Sequence, residues 1–272
     1  RSSAASDVYK RQLMARALRC AEKGLLTAHP NPRVGAVVVR DGRVLGEGFH
    51  QRTGGPHAEV EAVAAANGDV TGASVYCTME PCSFEGRTPS CAQMLIDRGI
   101  SQLVYGMQDP HPKNRGRGFS MLRAAGVEVI GPILEESARR LNPGHIKRYE
   151  TGVPYVRLKL ASSLDGRTAL ASGKSQWVTG DSARRDVQRL RARSGAILTG
   201  VGTVNADDPS LKVRASELDS PYASISAEVT RTIAVVDSWG RMSPNAALCN
   251  DPSLIYYSQH PGNLSIKGQS IE

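Results

Sequence analysis

Apolar residues recur at helical spacing from Leu13 to Leu25 (Leu13, Ala17, Leu18, Ala21, Leu25). After a loop in which Pro30 and Pro32 enclose Asn31, the run Val34–Val39 predicts a buried strand, and Asp41-Gly42 a hairpin turn into Val44–Phe49. His57–Ala66 predicts a helix whose alanines 58, 62, 64, 65 and 66 allow close packing on a sheet. Ser74–Thr78, Leu103–Gly106 and Val127–Ile130 predict strands, interleaved with helices over Ala92–Arg98, opened by Cys91, and Phe119–Ala125. Strands alternating with helices predict a three-layer α/β sandwich.

Glu135–Glu150 reads as helical, interrupted at Asn142-Pro143-Gly144, and Thr151-Gly152-Val153-Pro154 marks a domain boundary. Beyond it Tyr155–Ala161 alternates as a strand, Ser182–Arg193 predicts a basic helix, and Ala196–Gly200, Thr232–Asp237 and Leu254–Tyr257 predict further strands. Pro261–Glu272 is polar and offers no closing element, so this second sheet is expected to be incomplete. Residues 1–12 lack an apolar period and are expected to be a leader or non-native tail outside the fold. The division expected is therefore 1–12, a first domain over 13–150 and a second over 151–272, and 272 residues suit two cores.

Chemistry enters at His57-Ala58-Glu59 and at Pro81-Cys82 with Cys91. One imidazole and two thiolates are the three ligands that zinc takes at a catalytic site, with the fourth position left to water. Glu59 is not needed as a ligand and is placed to move protons. A His-x-Glu followed by Pro-Cys is the pattern of zinc deaminases, in which activated water attacks an amidine-like ring carbon while the carboxylate carries a proton to the leaving ammonia. Two blander readings stand beside it. The four residues could be a helix face and two buried thiols, or a structural zinc site completed by Cys77. Against both, Cys82 and Cys91 flank a polar Gly/Pro loop, and Cys77 alternates with Val75 within a predicted strand.

Composition narrows the partners. The net charge of +8 is spread, with 20 Lys and Arg against 15 Asp and Glu over residues 1–150 and 14 against 11 over the remainder. Aromatic residues make up 5%, and no stripe of them alternates with basic residues, as a nucleic-acid platform would require. No apolar run approaches the roughly 20 residues of a membrane span. Of the five cysteines two are assigned to the metal, and Cys20, Cys77 and Cys249 lie far apart, which suits a reducing cytoplasm better than a disulfide framework. A phosphorylated small molecule suits this charge at least as well as a nucleic acid does.

Three stretches of the first half carry a family resemblance: His29-Pro30-Asn31-Pro32-Arg33-Val34-Gly35, Pro56-His57-Ala58-Glu59-Val60, and Glu80-Pro81-Cys82-Ser83 with Gly86-Arg87-Thr88-Pro89. In the second half they are Lys159–Arg167, Ser175-Gln176-Trp177, Leu198–Val204 and Ala206-Asp207-Asp208-Pro209. With these, the sequence resembles the bifunctional riboflavin-biosynthesis deaminase–reductases, and the eight residues between Cys82 and Cys91 match that family's spacing. The resemblance implies a cytidine-deaminase-like sandwich followed by an incomplete dihydrofolate-reductase-like α/β domain.

It also implies zinc-dependent deamination of 2,5-diamino-6-ribosylamino-4-pyrimidinone 5′-phosphate, then NADPH-dependent reduction of the ribosyl to a ribityl chain. By the same carry-over His57, Cys82 and Cys91 bind zinc, Glu59 shuttles the proton, and Asn31, His50 and Arg87 contact the first substrate. Ala161, Trp177, Thr203, Asp207 and Ser238 match NADPH positions, and Ser175, Arg191, Leu211 and Arg214 match substrate positions of the reductase. The residues alone support this second set less: Gly200-x-Gly202 lacks the third glycine of a dinucleotide fingerprint. The family continues past residue 272 with a Glu-x-Gly-Pro stretch that this sequence does not contain, so its reductase is expected to be represented by its N-terminal part. A homo-oligomer is the expected assembly. The competing functions are a deaminase of tRNA or other nucleic acid, and a zinc-stabilised scaffold without activity.

Overall fold

The computed structural model describes residues 3–85, 89–175, 177–260 and 264–271. The chain divides into two compact units, Arg1–Leu158 and Lys159–Glu272.

In the first unit α1 (Ser3–Lys23) precedes β1 (Gly35–Arg40), β2 (Arg43–Phe49), α2 (Ala58–Ala65), β3 (Ser74–Cys77), α3 (Cys91–Asp97), β4 (Gln102–Tyr105), α4 (Arg117–Ala124), β5 (Glu128–Ile130), α5 (Glu135–Leu141) and α6 (Pro143–Thr151). The sheet order is β2-β1-β3-β4-β5. β1 pairs antiparallel with both β2 and β3, while β3, β4 and β5 run parallel. Successive side chains of a strand point to opposite faces, and here each face meets its own helices. Ala36, Val38, Val75 and Leu103 pack with Ala58 and Ala62 of α2, Ala92 and Leu95 of α3, and Phe119 and Leu122 of α4. Val37, Val39, Tyr76 and Val104 pack with Met14 and Ala17 of α1, Ala138 of α5 and Ile146 of α6. This is the three-layer sandwich expected from the alternation of elements.

The lack of an apolar period over residues 1–12 does not keep them from helical structure. α1 begins at Ser3, so most of the presumed tail is helical, although Val8 and Tyr9 remain exposed. The same helix buries Leu13, Met14 and Ala17 further along, and packing of an amphipathic face is what sustains a helix of this length.

In the second unit α7 (Asp181–Ala192), β6 (Ala196–Gly200), α8 (Val201–Asp207), α9 (Ala223–Glu228), β7 (Thr232–Val236), β8 (Leu254–Tyr257) and β9 (Gln269–Ile271) form a parallel sheet of order β6-β7-β8-β9 and its helices. Two expectations fail here. The polar C-terminal stretch does supply an element, because β9 adds to β8 with Tyr257 opposite Ile271. Three residues suffice when a preformed edge offers its backbone groups. Conversely Tyr155–Ala161 is not a strand, and its apolar alternates Val156, Leu158 and Leu160 stand more than 70% exposed (77%, 78% and 75%). Alternation describes a strand only where a neighbour takes up its backbone hydrogen bonds, and no described segment pairs with this one. The sheet itself is covered on one face by Val201, Val204, Leu211, Leu248 and their neighbours, whereas Leu198, Val236 and Tyr257 on the opposite face are exposed.

α2 lies directly on the backbone of β2. A Cβ at Gly48 would sit 2.3 Å from the Ala62 nitrogen and 2.5 Å from the Ala58 carbonyl oxygen, and one at Gly46 would sit 2.2 Å from the Ala62 oxygen. Gly48→Ala is therefore expected to destabilise the first unit by about 2 kcal/mol or more, since the clash is with helix backbone rather than a movable side chain. Gly144→Ala, where an added Cβ meets nothing within 4 Å, is expected to be neutral. Denaturant unfolding of both variants beside the parent checks this.

Candidate active site

The glycine-lined contact sets the position of the α2 N-terminus. His57 is its extended N-cap residue, and Glu59 lies in the first turn, where a helix dipole favours negative charge. The second half of the site is delivered by β3, whose chain continues through Glu80 and Pro81 to Cys82, loops out, and returns as α3. Ser90 caps α3 by accepting from the Gln93 N–H at 3.3 Å, and its hydroxyl donates to the Cys82 carbonyl at 2.9 Å. The Ala92 N–H donates to that same carbonyl at 3.0 Å, and the Cys91 N–H to the Cys82 sulfur at 3.2 Å. One cap thus locks the two cysteines together.

His57 Nδ1 lies 3.3 Å from Cys91 Sγ and 3.6 Å from Cys82 Sγ, and all three donor atoms fall within 4.8 Å of one another. A tetrahedral zinc with Zn–N of about 2.0 Å and Zn–S of about 2.3 Å holds such a nitrogen and sulfur about 3.5 Å apart. The donor set fits the ion in both geometry and type. Among the described residues it is the one cluster of His, Cys, Asp or Glu able to hold a metal. Electrostatics agree. The Cys91 thiol donates to the Cys82 sulfur and, with His57, holds the Cys82 thiol well below its ordinary value; Cys91, left with the proton and buried, is pushed far up. A divalent cation held by these three groups would take over the role of that trapped proton.

Glu59 is 3% exposed, and burial, followed by the charge of Cys82, raises its carboxyl above the usual range. Cys77, buried at the end of β3, hydrogen-bonds to Glu59. The strand cysteine considered as a fourth ligand is thus a partner of the carboxylate and lies outside the ligand cluster.

Asn31 and His50 meet beside these groups, with Asn31 Nδ2 3.0 Å from His50 Nε2. His50 Nδ1 is 2.9 Å from the Pro56 carbonyl, which can only accept, so Nδ1 carries the hydrogen and Asn31 donates to Nε2. Burial lowers the His50 pKa and keeps the ring neutral, and its edge faces the His57 ring at 5.4 Å between centroids. Arg87 lies outside the described residues.

Two supporting residues escaped sequence reasoning. Glu80, 4% exposed, accepts from the backbone N–H groups of Gly116 and Gly118, both at 3.0 Å, and of Asp109 at 3.3 Å. Asn114, fully buried, bonds to the backbone on either side of Cys82.

In the second unit Thr203 and Asp207 are exposed, one turn apart on α8, and Ser238 follows β7. β6 and β7 are parallel neighbours, so all three lie beyond strand C-terminal ends, where open α/β sheets bind ligands. Arg191 donates to the Lys212 carbonyl at 3.2 Å, and the Arg214 N–H donates to Gln188 of the same helix at 3.1 Å. Burial, then the nearby Arg214 charge, lowers the Arg191 pKa, a combination suited to a phosphate. Leu211 is buried beside this pair with φ of 54°, while Ser175 is exposed. Trp177 is exposed, with the Arg184 guanidinium 4.7 Å from its ring centre, and Ala161 is half-buried on the irregular segment before it.

Comparison with known proteins gives these geometries a family. Residues 8–107 match the family model of the cytidine and deoxycytidylate deaminase zinc-binding region, and residues 154–263 that of the RibD C-terminal domain. The chain is 49% identical over 249 residues to the riboflavin biosynthesis protein RibD of Escherichia coli, covering 90% of this chain and 68% of that protein. It is 52% identical over 204 residues to RibD of Haemophilus influenzae, covering 75% of this chain and 55% of that one. Relative to these proteins the chain thus spans between about half and two thirds of their length. The solved structure of Acinetobacter baumannii RibD superposes with a TM-score of 0.89 at 41% identity, over 98% of this chain and 74% of that one. The Thermotoga maritima diaminohydroxyphosphoribosylaminopyrimidine deaminase/5-amino-6-(5-phosphoribosylamino)uracil reductase superposes at 0.83 with 34% identity, over 97% and 74%. Both domain matches, the relatives and the zinc-ready cluster agree: the chain belongs to the RibD family, the bifunctional enzymes of riboflavin biosynthesis that join a zinc-dependent deaminase to an NADPH-dependent reductase.

Proposed function

We propose that residues 13–150 of this chain hydrolyse the 2-amino group of 2,5-diamino-6-ribosylamino-4-pyrimidinone 5′-phosphate, and that residues 151–272 belong to the part that reduces the product's ribosyl group with NADPH. The observation that carries the first step is the convergence of His57 Nδ1, Cys82 Sγ and Cys91 Sγ beside a buried carboxyl group. His57, Cys82 and Cys91 hold the zinc. When bound, zinc supplies Lewis-acid activation of water near neutral pH. Glu59 takes a proton from the attacking water and returns it to the departing amine nitrogen, so that water and the amino-pyrimidine become ammonia and the ring carbonyl. Burial raises its carboxyl above the ordinary carboxylate range, the direction that favours holding a proton before passing it on. Asn31 and neutral His50 orient the ring, and Arg87 is assigned to the phosphate.

For the second step Ala161, Trp177, Thr203, Asp207 and Ser238 are assigned to NADPH, and Ser175, Arg191, Leu211 and Arg214 to the nucleotide. The pairing of Arg191 with Arg214 supports the latter. A free nucleotide as substrate is supported by the scattered positive charge and the scarcity of aromatic residues. Among the described residues no helix is long and apolar enough to cross a membrane. A cytoplasmic homo-oligomer completes the reading, and sedimentation tests its assembly.

Glu59→Gln is expected to retain zinc and to lose ammonia release by about 10²- to 10⁴-fold. Cys82→Ser is expected to lose zinc and turnover together. Metal analysis beside an ammonia assay separates the two; a fully active Glu59→Gln protein would remove the carboxylate from the proton path, and a zinc-loaded parent that releases no ammonia would leave only a zinc-stabilised scaffold. Incubating the zinc-loaded chain with the diaminopyrimidine phosphate, with and without NADPH, is expected to give ammonia in both cases. NADPH oxidation that requires substrate and falls in Arg191→Ala would support the second assignment. A tRNA anticodon stem is expected to release no ammonia.

A further inference from the structure

We propose that Asn114 is a positioning residue for the metal-holding turn, a role that rests on the reading of His57, Cys82 and Cys91 as a zinc site. Its side chain is fully buried and uses one planar amide to brace the chain on both sides of a ligand. The Ser83 N–H donates to Asn114 Oδ1 at 2.8 Å, and Asn114 Nδ2 donates to the Pro81 carbonyl at 3.3 Å. The two peptide groups that flank Cys82 are thereby held in one fixed relation, and with them the direction of its Cα–Cβ bond.

A third contact decides which way round the amide sits. Asn114 Nδ2 also donates to Asp109 Oδ2 at 3.1 Å, and an ionised carboxylate can only accept. Asp109 is itself held by the His111 N–H at 2.9 Å and by His145 Nε2 at 3.1 Å. The backbone of Asn114 is rooted as well: its N–H donates to the His111 carbonyl at 2.9 Å, and its carbonyl accepts from Arg117 at the start of α4 at 2.6 Å. Glu80 reaches the other way, from the ligand-bearing segment to the N–H groups of Gly116 and Gly118. Each segment therefore lends one side chain to the other's backbone, and the two form a reciprocal clamp. Glu80 fastens segment to segment, whereas Asn114 acts across the ligand itself. Outer residues of this kind hold a metal ligand to within the few tenths of an ångström that a site requires.

The test uses the zinc-loaded chain and two variants. In Asn114→Ala, transfer of zinc to a chelator is expected to be about 10-fold faster. The sulfur-to-cobalt absorption of the cobalt-substituted protein should shift or weaken, and kcat for ammonia release should fall more than KM rises. Asn114→Asp has the same size but sets a carboxylate against the Pro81 carbonyl and Asp109, and is expected to lose zinc faster still. Wild-type zinc release and cobalt spectrum in Asn114→Ala would overturn the proposal. So would failure of both metal-free variants to fold, because Asn114 would then be a general stability residue. A parent protein that takes up no zinc would instead overturn the reading of the site, and this proposal with it.

Discussion

Three donor atoms must meet at a point although they come from segments up to 34 residues apart. The close seating of α2 on β2 makes that meeting possible. Gly46 and Gly48 bring the helix backbone to within contact of the strand backbone, and the sheet order places β2 and β3 on either side of β1. The helices that follow those two strands therefore lie side by side over one face, with Ala58, Ala62, Ala92 and Leu95 in one core. Their N-termini converge, and His57 and Cys91 come with them. The metal centre is a consequence of how closely one helix is allowed to approach one strand.

What converges there is costly to bury. A carboxyl group, two thiols and an imidazole share one enclosed space: burial pushes the Glu59 carboxyl up, while hydrogen bonds among the sulfurs and the imidazole pull Cys82 down and push Cys91 and His57 up. Each charge either finds a partner or is suppressed. Cys82 is driven toward thiolate by the donors around it, while Glu59 is driven toward its neutral form by burial and by that thiolate. A dication relieves this tension at one stroke, which is the physical sense in which the folded chain is prepared for zinc. The surrounding polar side chains are satisfied by backbone groups: Glu80 by three or more N–H groups, Asn114 by both neighbours of a ligand. Buried networks of that completeness hold one geometry.

The second unit presents a different balance. Its parallel sheet carries a packed cluster on one face, while α8 sets Thr203 and Asp207, and the turn after β7 sets Ser238, beyond the strand ends. Arg191 and Arg214 are brought together by Gln188 and the Lys212 carbonyl. Trp177, by contrast, stands exposed over Arg184. Of the residues assigned to the nucleotide, Arg191 and Arg214 are thus drawn together.

Much of the first unit could be read along the chain, because its signals are local. The apolar run Val34–Val39, the Asp41-Gly42 turn and the helical repeat after His57 depend on neighbours a few residues away, and His-x-Glu with Pro-Cys carries its chemistry in residue type and spacing. Where a structure depends on distant partners, the chain was silent or misleading. Tyr155–Ala161 has the alternation of a strand but no described strand to pair with, and the polar end of the chain became β9 because β8 offered an edge. α1 ran on into residues with no apolar period because its buried half sustained it. Cys77 had the character of a ligand until burial set it against Glu59, and Asn114 had the character of a loop residue until folding placed it across Cys82. Residue type and spacing specify which chemistry is possible, whereas long-range packing selects which groups touch, since a hydrogen bond or a metal ligand is defined by distances in space that no spacing along the chain contains.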